Sequence, residues 1–407
     1  MRRLPQLGAA FVAASALLLL SACAGSAPTP DAAPGASSAA PTLRPITQER
    51  LQEFLAAESA ALGVPGAVAL LRTPGGGEIT ATYGVRAIGG GEPVTLDDHI
   101  RVGSNTKTMT GTVILQLVQE GRLALDDPLS EYRPDIAGAE EITIADMLLM
   151  RTGLTNYSET YALNAGLDAD PARPWDPEEL IDLGASLPRD FAPGTAYHYS
   201  NTNTVLLGRI AEELEGKALG DIFRERLFEP HGLDETSFPA ADDTSLPEPF
   251  AHGYMFTDNV MTLATSRLAP DLLAAAGNGT LAPNEQTHAN PSWTWAAGGV
   301  ISTAGDLADW VEVLVGGGAL DDDMQAARLA SLQPTSDAPD ASRYGYNLAE
   351  MGSFLGHTGE LPGYNSFMGH EPRSGVTLVI WANLAPVATG VDPATTMAKN
   401  LFGELFD

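Results

Sequence analysis

Hydrophobic and polar positions follow two different periods along this chain. Residues 46–62 and 395–406 carry apolar side chains three and four positions apart, which predicts an amphipathic helix near each end. Residues 67–71 and 79–85 are apolar runs separated by a Pro-Gly-Gly-Gly turn, which predicts two strands. Residues 367–383 predict two more strands. Because strand patterns occur at both ends of the chain, we expect one sheet that the C-terminal strands complete.

Helical patterns dominate the middle of the chain, between about residues 123 and 290. One example is the apolar run of residues 205–214, and another, just before this region, is residues 110–118. These patterns predict an α/β (α+β) fold, in which a sheet is flanked by terminal helices and an all-helical lobe is inserted between its strands. The cleft between the lobes is the expected pocket.

The first 43 residues have the pattern of an export signal followed by a tether. Two arginines precede an apolar core at residues 9–20, and Leu-Ser-Ala-Cys, ending at Cys23, resembles a lipoprotein cleavage box. We therefore expect a signal peptide at residues 1–22, lipid attached to Cys23, and an extracytoplasmic, membrane-anchored protein. Cleavage after Ala24 by an ordinary signal peptidase, which would give a secreted protein, is the alternative.

Residues 23–43 consist mainly of Ala, Pro, Ser, Gly and Thr, a composition that cannot bury enough apolar surface to fold. We expect a disordered tether here and one folded domain at residues 44–407. The formal net charge of −30, from 22 basic and 52 acidic residues, excludes nucleic acid as a partner. No metal-binding helix motif or phosphate-binding loop is present, so we expect neither a metal nor a cofactor.

Ser104 and Lys107 are the most informative pair of residues. The chain has only three lysines, and this one lies three positions after a serine that begins a predicted helix, so the two side chains share a face. A desolvated lysine can accept the proton of a serine hydroxyl and make the hydroxyl nucleophilic. A capping serine beside a solvated lysine would look the same in sequence.

Two further motifs supply partners for such a serine. Tyr199 and Asn201 form a Tyr-x-Asn motif before the helical run at 205–214, although the pair could also be a packed phenol and a helix cap. His357-Thr358-Gly359 precedes the C-terminal strands and predicts a cationic or hydrogen-bonding edge strand, with glycine where a substrate approaches closely.

The order Ser-x-x-Lys, Tyr-x-Asn, His-Thr-Gly resembles that of the serine penicillin-recognising hydrolases, which comprise class C β-lactamases, secreted D-alanyl-D-alanine carboxypeptidases and related esterases. The resemblance covers roughly residues 47–406. It includes residues 101–125 as the nucleophile helix, residues 295–302 as an Ala-Gly-Gly-x-x-Ser stretch, and the strands around Tyr344 and Gly363. It implies a β-lactamase/transpeptidase-like fold with an antiparallel sheet.

The resemblance also implies a role for each residue. Ser104 would be the nucleophile, and Lys107 and Tyr199 would exchange its proton, with the choice of general base open. The pKa of Tyr199 would be lowered by its cationic surroundings. Asn201 would donate to the amide carbonyl of the substrate and orient Lys107.

On the opposite wall, His357, Thr358 and Gly359 would line the cleft, and the backbone amide of Glu360 would form an oxyanion hole with that of Ser104. The predicted substrates are D-amino-acid peptides, β-lactams or esters, with a D-alanyl-D-alanine carboxypeptidase-like peptidase as the first expectation. A class C-like β-lactamase, a carboxylesterase and a catalytically weak cell-wall binding lipoprotein are the alternatives. Glu360 would repel a substrate carboxylate unless Arg343 compensates.

Overall fold

The computed structural model describes residues 42–75 and 77–406. The predicted signal peptide, the lipid attachment at Cys23 and nearly all of the predicted tether lie outside the described residues. Leu43, which the sequence analysis assigns to the tether, forms an isolated β-bridge with Phe406. Backbone pairing therefore already holds Leu43 to the folded domain, and the tether boundary at about residue 43 stays a prediction.

The helices in chain order are α1 (Gln48–Leu62), α2 (Thr106–Gln119), α3 (Ile144–Leu148), α4 (Tyr161–Ala169), α5 (Pro177–Ala185), α6 (Asn201–Glu215), α7 (Leu219–Phe223), α8 (Glu229–His231), α9 (Asn259–Thr262), α10 (Pro270–Gly277), α11 (Ala304–Gly316), α12 (Asp322–Ala330) and α13 (Pro393–Leu405). The strands are β1 (Gly66–Thr73), β2 (Gly77–Gly84), β3 (Ile100–Arg101), β4 (Tyr254–Met255), β5 (Asn284–Glu285), β6 (Ile301–Ser302), β7 (Gln333–Pro334), β8 (Arg343–Tyr344), β9 (Ala349–Met351), β10 (Phe354–Leu361), β11 (Tyr364–Glu371) and β12 (Val376–Ala382).

Eight of these strands form one sheet in the order β2-β1-β12-β11-β10-β9-β8-β7. Every neighbouring pair is antiparallel, and Ala67 of β1 lies opposite Ala382 of β12. The N-terminal hairpin thus joins strands from the C-terminal end of the chain. This confirms the predicted antiparallel sheet that the C-terminus completes.

Alternation along the strands explains why both faces of the sheet are covered. Successive side chains of a strand point to opposite faces, and in β1 Val68 and Leu70 join one hydrophobic core while Ala69 and Leu71 join another. The first core includes the buried side of α2 and α11, and the second includes the buried sides of α1 and α13. The predicted flanking by the two terminal helices is confirmed.

The inserted lobe departs from the prediction in one detail. Residues 123–290 contain α3 to α10, but they also contain β4 and β5, in which Tyr254 lies opposite Glu285. The expectation of an all-helical lobe is therefore wrong for these two strands. Each strand has two residues, which is too short for any hydrophobic period to show in the sequence.

Across the two described ranges, no helix combines the length and the hydrophobicity that a membrane crossing would require.

Candidate active site

A tight turn presents Ser104 at the start of α2. Residues Gly103–Asn105 form a 3-10 turn that leads directly into the helix, and Gly103 has a φ of +57°, a conformation that glycine adopts without strain. The buried Asn105 side chain donates hydrogen bonds to the Val102 carbonyl (3.1 Å) and to Ser366 Oγ of β11 (2.7 Å). These bonds tie the turn to the sheet, while Ser104 itself stays partly exposed.

Lys107 lies beside the hydroxyl, as predicted. Its Nζ is 2.8 Å from Ser104 Oγ and 2.7 Å from the Ala297 carbonyl oxygen, and the side chain is fully buried. Nζ also lies over the Tyr199 ring, 4.8 Å from the ring centroid. Burial lowers the pKa of Lys107 well below its ordinary value, because desolvation penalises the ammonium form. A neutral amine, the form that can accept the serine proton, is thereby favoured.

The Ala297 carbonyl is a functional group that sequence reasoning missed. It belongs to a loop that is held against the nucleophile helix, since the Val300 amide donates to Thr106 Oγ1 (3.1 Å) and Thr106 Oγ1 donates to the Gly103 carbonyl (2.8 Å). The surrounding Ala-Gly-Gly stretch was found through the family resemblance. A backbone carbonyl, however, leaves no residue type by which its own role could be recognised.

Tyr199 faces the same pair, but its predicted pKa shift is wrong in sign. Its hydroxyl oxygen is buried and has no hydrogen-bond partner among the described residues, although its ring keeps some exposure. Burial raises the pKa of Tyr199, and proximity of Ser104 offsets only part of this rise, since the two hydroxyls do not reach hydrogen-bond geometry. Desolvation dominates the pKa of Tyr199, so Tyr199 is a neutral phenol that can donate a proton.

Asn201 is the first residue of α6, and its hydrogen-bond partners lie outside the group formed by Ser104, Lys107 and Tyr199. Its Nδ2 donates to Ser158 Oγ (3.0 Å), and its backbone amide donates to Asn156 Oδ1 (3.0 Å). The prediction that Asn201 orients Lys107 is wrong, because the hydrogen bonds of Lys107 go to Ser104 and Ala297. Asn201 Oδ1 is buried without a partner among the described residues, which leaves it able to accept a hydrogen bond from a substrate N–H.

His357 is neutral and engaged within the protein. The Thr358 carbonyl oxygen can only accept, so Nδ1 donates to it (2.6 Å), which leaves Nε2 to accept from the Tyr344 hydroxyl (3.2 Å). Burial, reinforced by the charge of Lys107, lowers the pKa of His357 to about 3. The cationic form considered from the sequence is therefore wrong, and the hydrogen-bonding form is confirmed. His357 packs the cleft wall through Tyr344, which also contacts Tyr199 edge-on at 6.1 Å.

The strand that carries His357 is an edge strand over only half of its length. In the sheet order β10 lies between β11 and β9, yet it pairs with β9 only from Phe354 to Gly356. Residues 357–361 therefore have no strand partner on that side. The predicted edge exists as this half-strand, and it borders the nucleophile turn.

Gly359 is required by the close approach of this half-strand to the nucleophile turn. A Cβ on Gly359 would lie 1.8 Å from the Val102 carbonyl oxygen, and a Cβ on Gly103 would lie 2.7 Å from the Glu360 amide nitrogen. The backbones therefore touch where the oxyanion hole was predicted from the amides of Ser104 and Glu360. The missing side chain of Gly359 therefore makes room for the backbone at Val102, whereas the sequence predicts that it makes room for a substrate.

The Glu360 carboxyl lies at the end of the half-strand formed by residues 357–361, next to the carboxyl of Asp392. It lies directly opposite Asn365 of β11, whose Oδ1 accepts from the Thr395 amide in the first turn of α13 (3.1 Å). Asp392, the N-cap residue of α13, makes no capping bond, and its carboxyl lies close enough to that of Glu360 to raise the pKa of Glu360. The Glu360 residue is exposed to solvent. Crowding of its carboxyl by the surrounding protein, together with the nearby Asp392 carboxyl, raises the pKa of Glu360 to about 8.

Arg343 does not offset these acids. Its guanidinium donates to Glu350 (3.1 Å) and to the Leu332 carbonyl (2.8 Å) on the outer strands of the sheet. Among the described residues, neither Glu360 nor Asp392 has an ion pair with a cationic side chain. The wall therefore offers a carboxylate no counter-charge.

An apolar hollow lies away from these groups. A cavity of about 630 Å³, lined in part by Phe228, Phe238 and Trp295, contains none of Ser104, Lys107 and Tyr199. The chemistry of the side chains therefore locates the active site, and the size of a hollow does not. In the part of the chain that the structure describes, no three or more His, Cys, Asp or Glu side chains are grouped to hold a metal ion.

Comparisons with known proteins agree with this geometry. The model of the Beta-lactamase family matches residues 51–399. Among curated relatives, an unguisins hydrolase from Aspergillus campestris is 27% identical over 71% of this chain and 53% of its own length. Penicillin-binding protein 4 from Amycolatopsis lactamdurans is 32% identical over 42% of this chain and 44% of its own length. The chain thus spans about half the length of these relatives.

Two solved structures resemble the fold over nearly their whole length. A D-stereospecific amidohydrolase from a Streptomyces species has a TM-score of 0.73 and 29% identity, covering 87% of this chain and 98% of the other. The D-amino acid amidase of Ochrobactrum anthropi has a TM-score of 0.72 and 26% identity, covering 86% and 95%. With the matched family model, these likenesses establish that the chain belongs to the beta-lactamase family.

Proposed function

We propose that this protein is a serine hydrolase that cleaves amide bonds of D-amino-acid amides or peptides through an acyl-enzyme on Ser104. The observation that supports this choice is the pair of carboxyls, Glu360 and Asp392. They lie at the end of the wall formed by residues 357–360, which we call the recognition wall. This wall favours substrates that bring no free carboxylate to it. The D-configured substrates named for the Streptomyces amidohydrolase and the Ochrobactrum amidase support the choice.

The chemical steps use the two proton-transfer groups in the protonation states that burial favours. Ser104 Oγ attacks the carbonyl carbon while its proton passes to neutral Lys107 Nζ, which lies 2.8 Å away. The C–N bond then breaks, and the leaving amine takes a proton from the neutral phenol of Tyr199. The proton held by Lys107 restores the phenol. Water attacks the acyl-enzyme with the same groups in reverse roles and regenerates Ser104. This assigns Lys107 as the general base and Tyr199 as the acid, a choice that the sequence left open.

Charge that develops on the substrate oxygen would be stabilised by backbone donors. The amides of Ser104 and Glu360 lie on either side of Gly103, and such preorganised donors are commonly the largest electrostatic contribution in acyl transfer. Asn201 Oδ1, which lacks a partner among the described residues, would accept from a substrate N–H. Only the backbone of Glu360 is needed in the oxyanion hole, so its side chain is free to select substrates.

Strict D-alanyl-D-alanine carboxypeptidase activity, the first expectation from the sequence, is less favoured by this wall. Such an enzyme must hold a substrate carboxylate, and Thr358 alone would have to do so beside two acids. A carboxylesterase or a class C-like β-lactamase would use the same nucleophile, and the substrate panel below separates these activities. A catalytically weak binding lipoprotein would have no need for a buried lysine beside a serine, because burying an amine carries a desolvation cost.

Anchoring at the cell surface through Cys23 remains a proposal, since it rests on residues 1–43 of the sequence. It would place the enzyme near peptides of the cell wall, which contain D-amino acids.

The test compares two substrates that differ only in one charge: N-acetyl-D-alanyl-D-alanine and its C-terminal amide. We expect kcat/KM to favour the amide by about 10-fold above pH 8, where Glu360 is ionised, as expected for one repulsive charge at partly solvated contact. The preference should grow as pH rises through about 8, because Glu360 loses its proton there and the wall gains a negative charge. A p-nitrophenyl ester and a penicillin complete the panel.

Glu360→Gln is the matched variant, because it keeps the side-chain shape and the backbone amide. It should reduce the preference for the amide and remove its dependence on pH. Equal or greater activity on the free carboxylate, unchanged in the variant, would contradict the proposed substrate class and favour a carboxypeptidase. Ester hydrolysis without amide hydrolysis would favour an esterase, and fast penicillin turnover would favour a β-lactamase.

A further inference from the structure

A second unusual cation lies behind the nucleophile helix. Arg328 of α12 is fully buried, and its one hydrogen bond to another side chain runs from Nη2 to Thr112 Oγ1 of α2 (2.7 Å). Its Nε and Nη1 are buried without partners, and it has no ion pair with any carboxylate in residues 42–75 and 77–406. Burial lowers the pKa of Arg328 to about 9, so the guanidinium still carries its charge at neutral pH.

Asn347 is the second unpartnered polar side chain in this region. It is fully buried, and neither its Oδ1 nor its Nδ2 has a hydrogen-bond partner among the described residues. Its φ of +52° is a left-handed conformation that the loop between β8 and β9 imposes on it. Its backbone amide donates to the Leu148 carbonyl (3.0 Å), which fixes the residue in place. A buried carboxamide without partners is costly, so a bound group is expected to satisfy it.

The two side chains converge on one face of α2. Gly111 and Thr112 are adjacent there, and a Cβ on Gly111 would lie 3.2 Å from Asn347 Nδ2. Thr112 receives Arg328, as described above. The segments that carry Arg328 and Asn347 are also joined directly, because Ser331 Oγ donates to the Arg328 carbonyl (2.7 Å) and accepts from the Tyr346 amide (2.9 Å).

We propose that Arg328 and Asn347 bind a small monovalent anion, of the size and charge of chloride, in the interior behind α2. Arg328 Nε and Nη1 and Asn347 Nδ2 supply three donors, which is a donor set that suits an anion. Water could satisfy the same hydrogen bonds, but it would leave the guanidinium charge uncompensated in a desolvated site, and such a charge is strongly unfavourable. The full burial of both side chains excludes a large organic anion.

This site touches none of the reacting atoms, so the anion would act as a structural support. It would join α12 and the β8–β9 loop to the helix that begins with the nucleophile turn. The inference stands independently of the proposed function, because it concerns stability and not the reaction.

Diffraction from crystals of the full-length protein grown in bromide tests the site without any variant. We expect an anomalous peak within about 3.5 Å of the Arg328 guanidinium and the Asn347 amide, which is the range of a hydrogen bond to a large anion. Water density without an anomalous peak, or a guanidinium that pairs with protein groups alone, would overturn the proposal.

Thermal melting in solution gives a second, independent measurement. In sodium chloride the wild-type Tm should exceed that in sodium isethionate of equal ionic strength by about 2–4 °C, and the increase should saturate with concentration. Arg328→Met should abolish the chloride effect, whereas Arg224→Met, which removes an exposed arginine, should keep it. Asn347→Ala should weaken it if Arg328→Met fails to fold. A chloride effect equal in all folded variants, or none in the wild type, would contradict the site.

Discussion

The two sides of the active-site cleft differ in their ionisable groups. On the reacting side, Lys107 and Tyr199 surround Ser104, and burial pushes both toward their neutral forms. On the recognition wall, Glu360 and Asp392 place carboxyls where solvent can reach them. The reacting side contains the Ser-x-x-Lys and Tyr-x-Asn motifs, whereas the wall adds two carboxyls beside the His-Thr-Gly motif.

This difference separates what the chemistry requires from what selects the substrate. Proton transfer at neutral pH needs a neutral amine and a neutral phenol, and desolvation provides both without any charged partner. Selection of a substrate can instead use the two carboxyls of the wall, which take no part in the proton transfers. Removal of the nucleophile or its base should therefore impair reaction with every substrate, and changes on the wall should alter the ranking of substrates.

Removal of the base should give the largest effect. Lys107→Ala should lower kcat by about 10⁴-fold on amides and esters alike, because Ser104 loses the group that accepts its proton in both reactions. Lys217→Ala is the matched control, since Lys217 is an exposed lysine paired with Glu225, and it should leave kcat unchanged. Steady-state kinetics on one amide and one ester measure this. More than a tenth of wild-type activity in Lys107→Ala would rule out the assigned base.

Moving β10 away from the nucleophile turn should have the next largest effect on activity. In Gly359→Ala the new Cβ would lie 1.8 Å from the Val102 carbonyl oxygen, so β10 must move away from the nucleophile turn. We expect activity to fall by at least about 10²-fold as the Glu360 amide leaves the oxyanion hole, and stability to fall by about 1–3 kcal/mol.

Gly91→Ala provides the control for Gly359→Ala, because no heavy atom lies within 4 Å of the position of its added Cβ. Activity assays and thermal melting of both variants give the comparison. Equal behaviour of the two would show that the backbone contact at Gly359 is not needed.

Loss of the proposed acid should have a smaller and more selective effect. Tyr199→Phe should reduce amide hydrolysis by about 10²-fold, but hydrolysis of a p-nitrophenyl ester far less, because p-nitrophenolate leaves without a proton. The Tm should change little, since the removed hydroxyl has no hydrogen-bond partner among the described residues. The ratio of amide to ester activity is the measurement, and an equal loss on both substrates would contradict the assigned role.

Much of the fold could be predicted from local patterns. Periodicity identified the two terminal helices and four strands of the sheet, because each is long enough to show its period and has a buried face. The two-residue strands β4 and β5 could not be found in this way. Their pairing depends on chain segments about thirty residues apart, and nothing in either segment records it.

Within the site, residue types were easier to predict than contacts and protonation states. Ser104 and Lys107 follow from their spacing on one helix. The carbonyl of Ala297 and the Ser158 partner of Asn201 depend on tertiary packing, which the motifs do not encode. The sign of the Tyr199 pKa shift depends on how deeply its hydroxyl is buried, and only the structure shows that burial.

The central claim is that Ser104 forms the acyl-enzyme. The most direct measurement is intact mass and peptide mapping of the wild-type protein and Ser104→Ala, each quenched in acid during turnover of a slow ester or a penicillin. We expect one acyl adduct per wild-type chain, on the peptide that contains Ser104, and none in Ser104→Ala. An adduct on another residue, or hydrolysis that persists in Ser104→Ala, would contradict it.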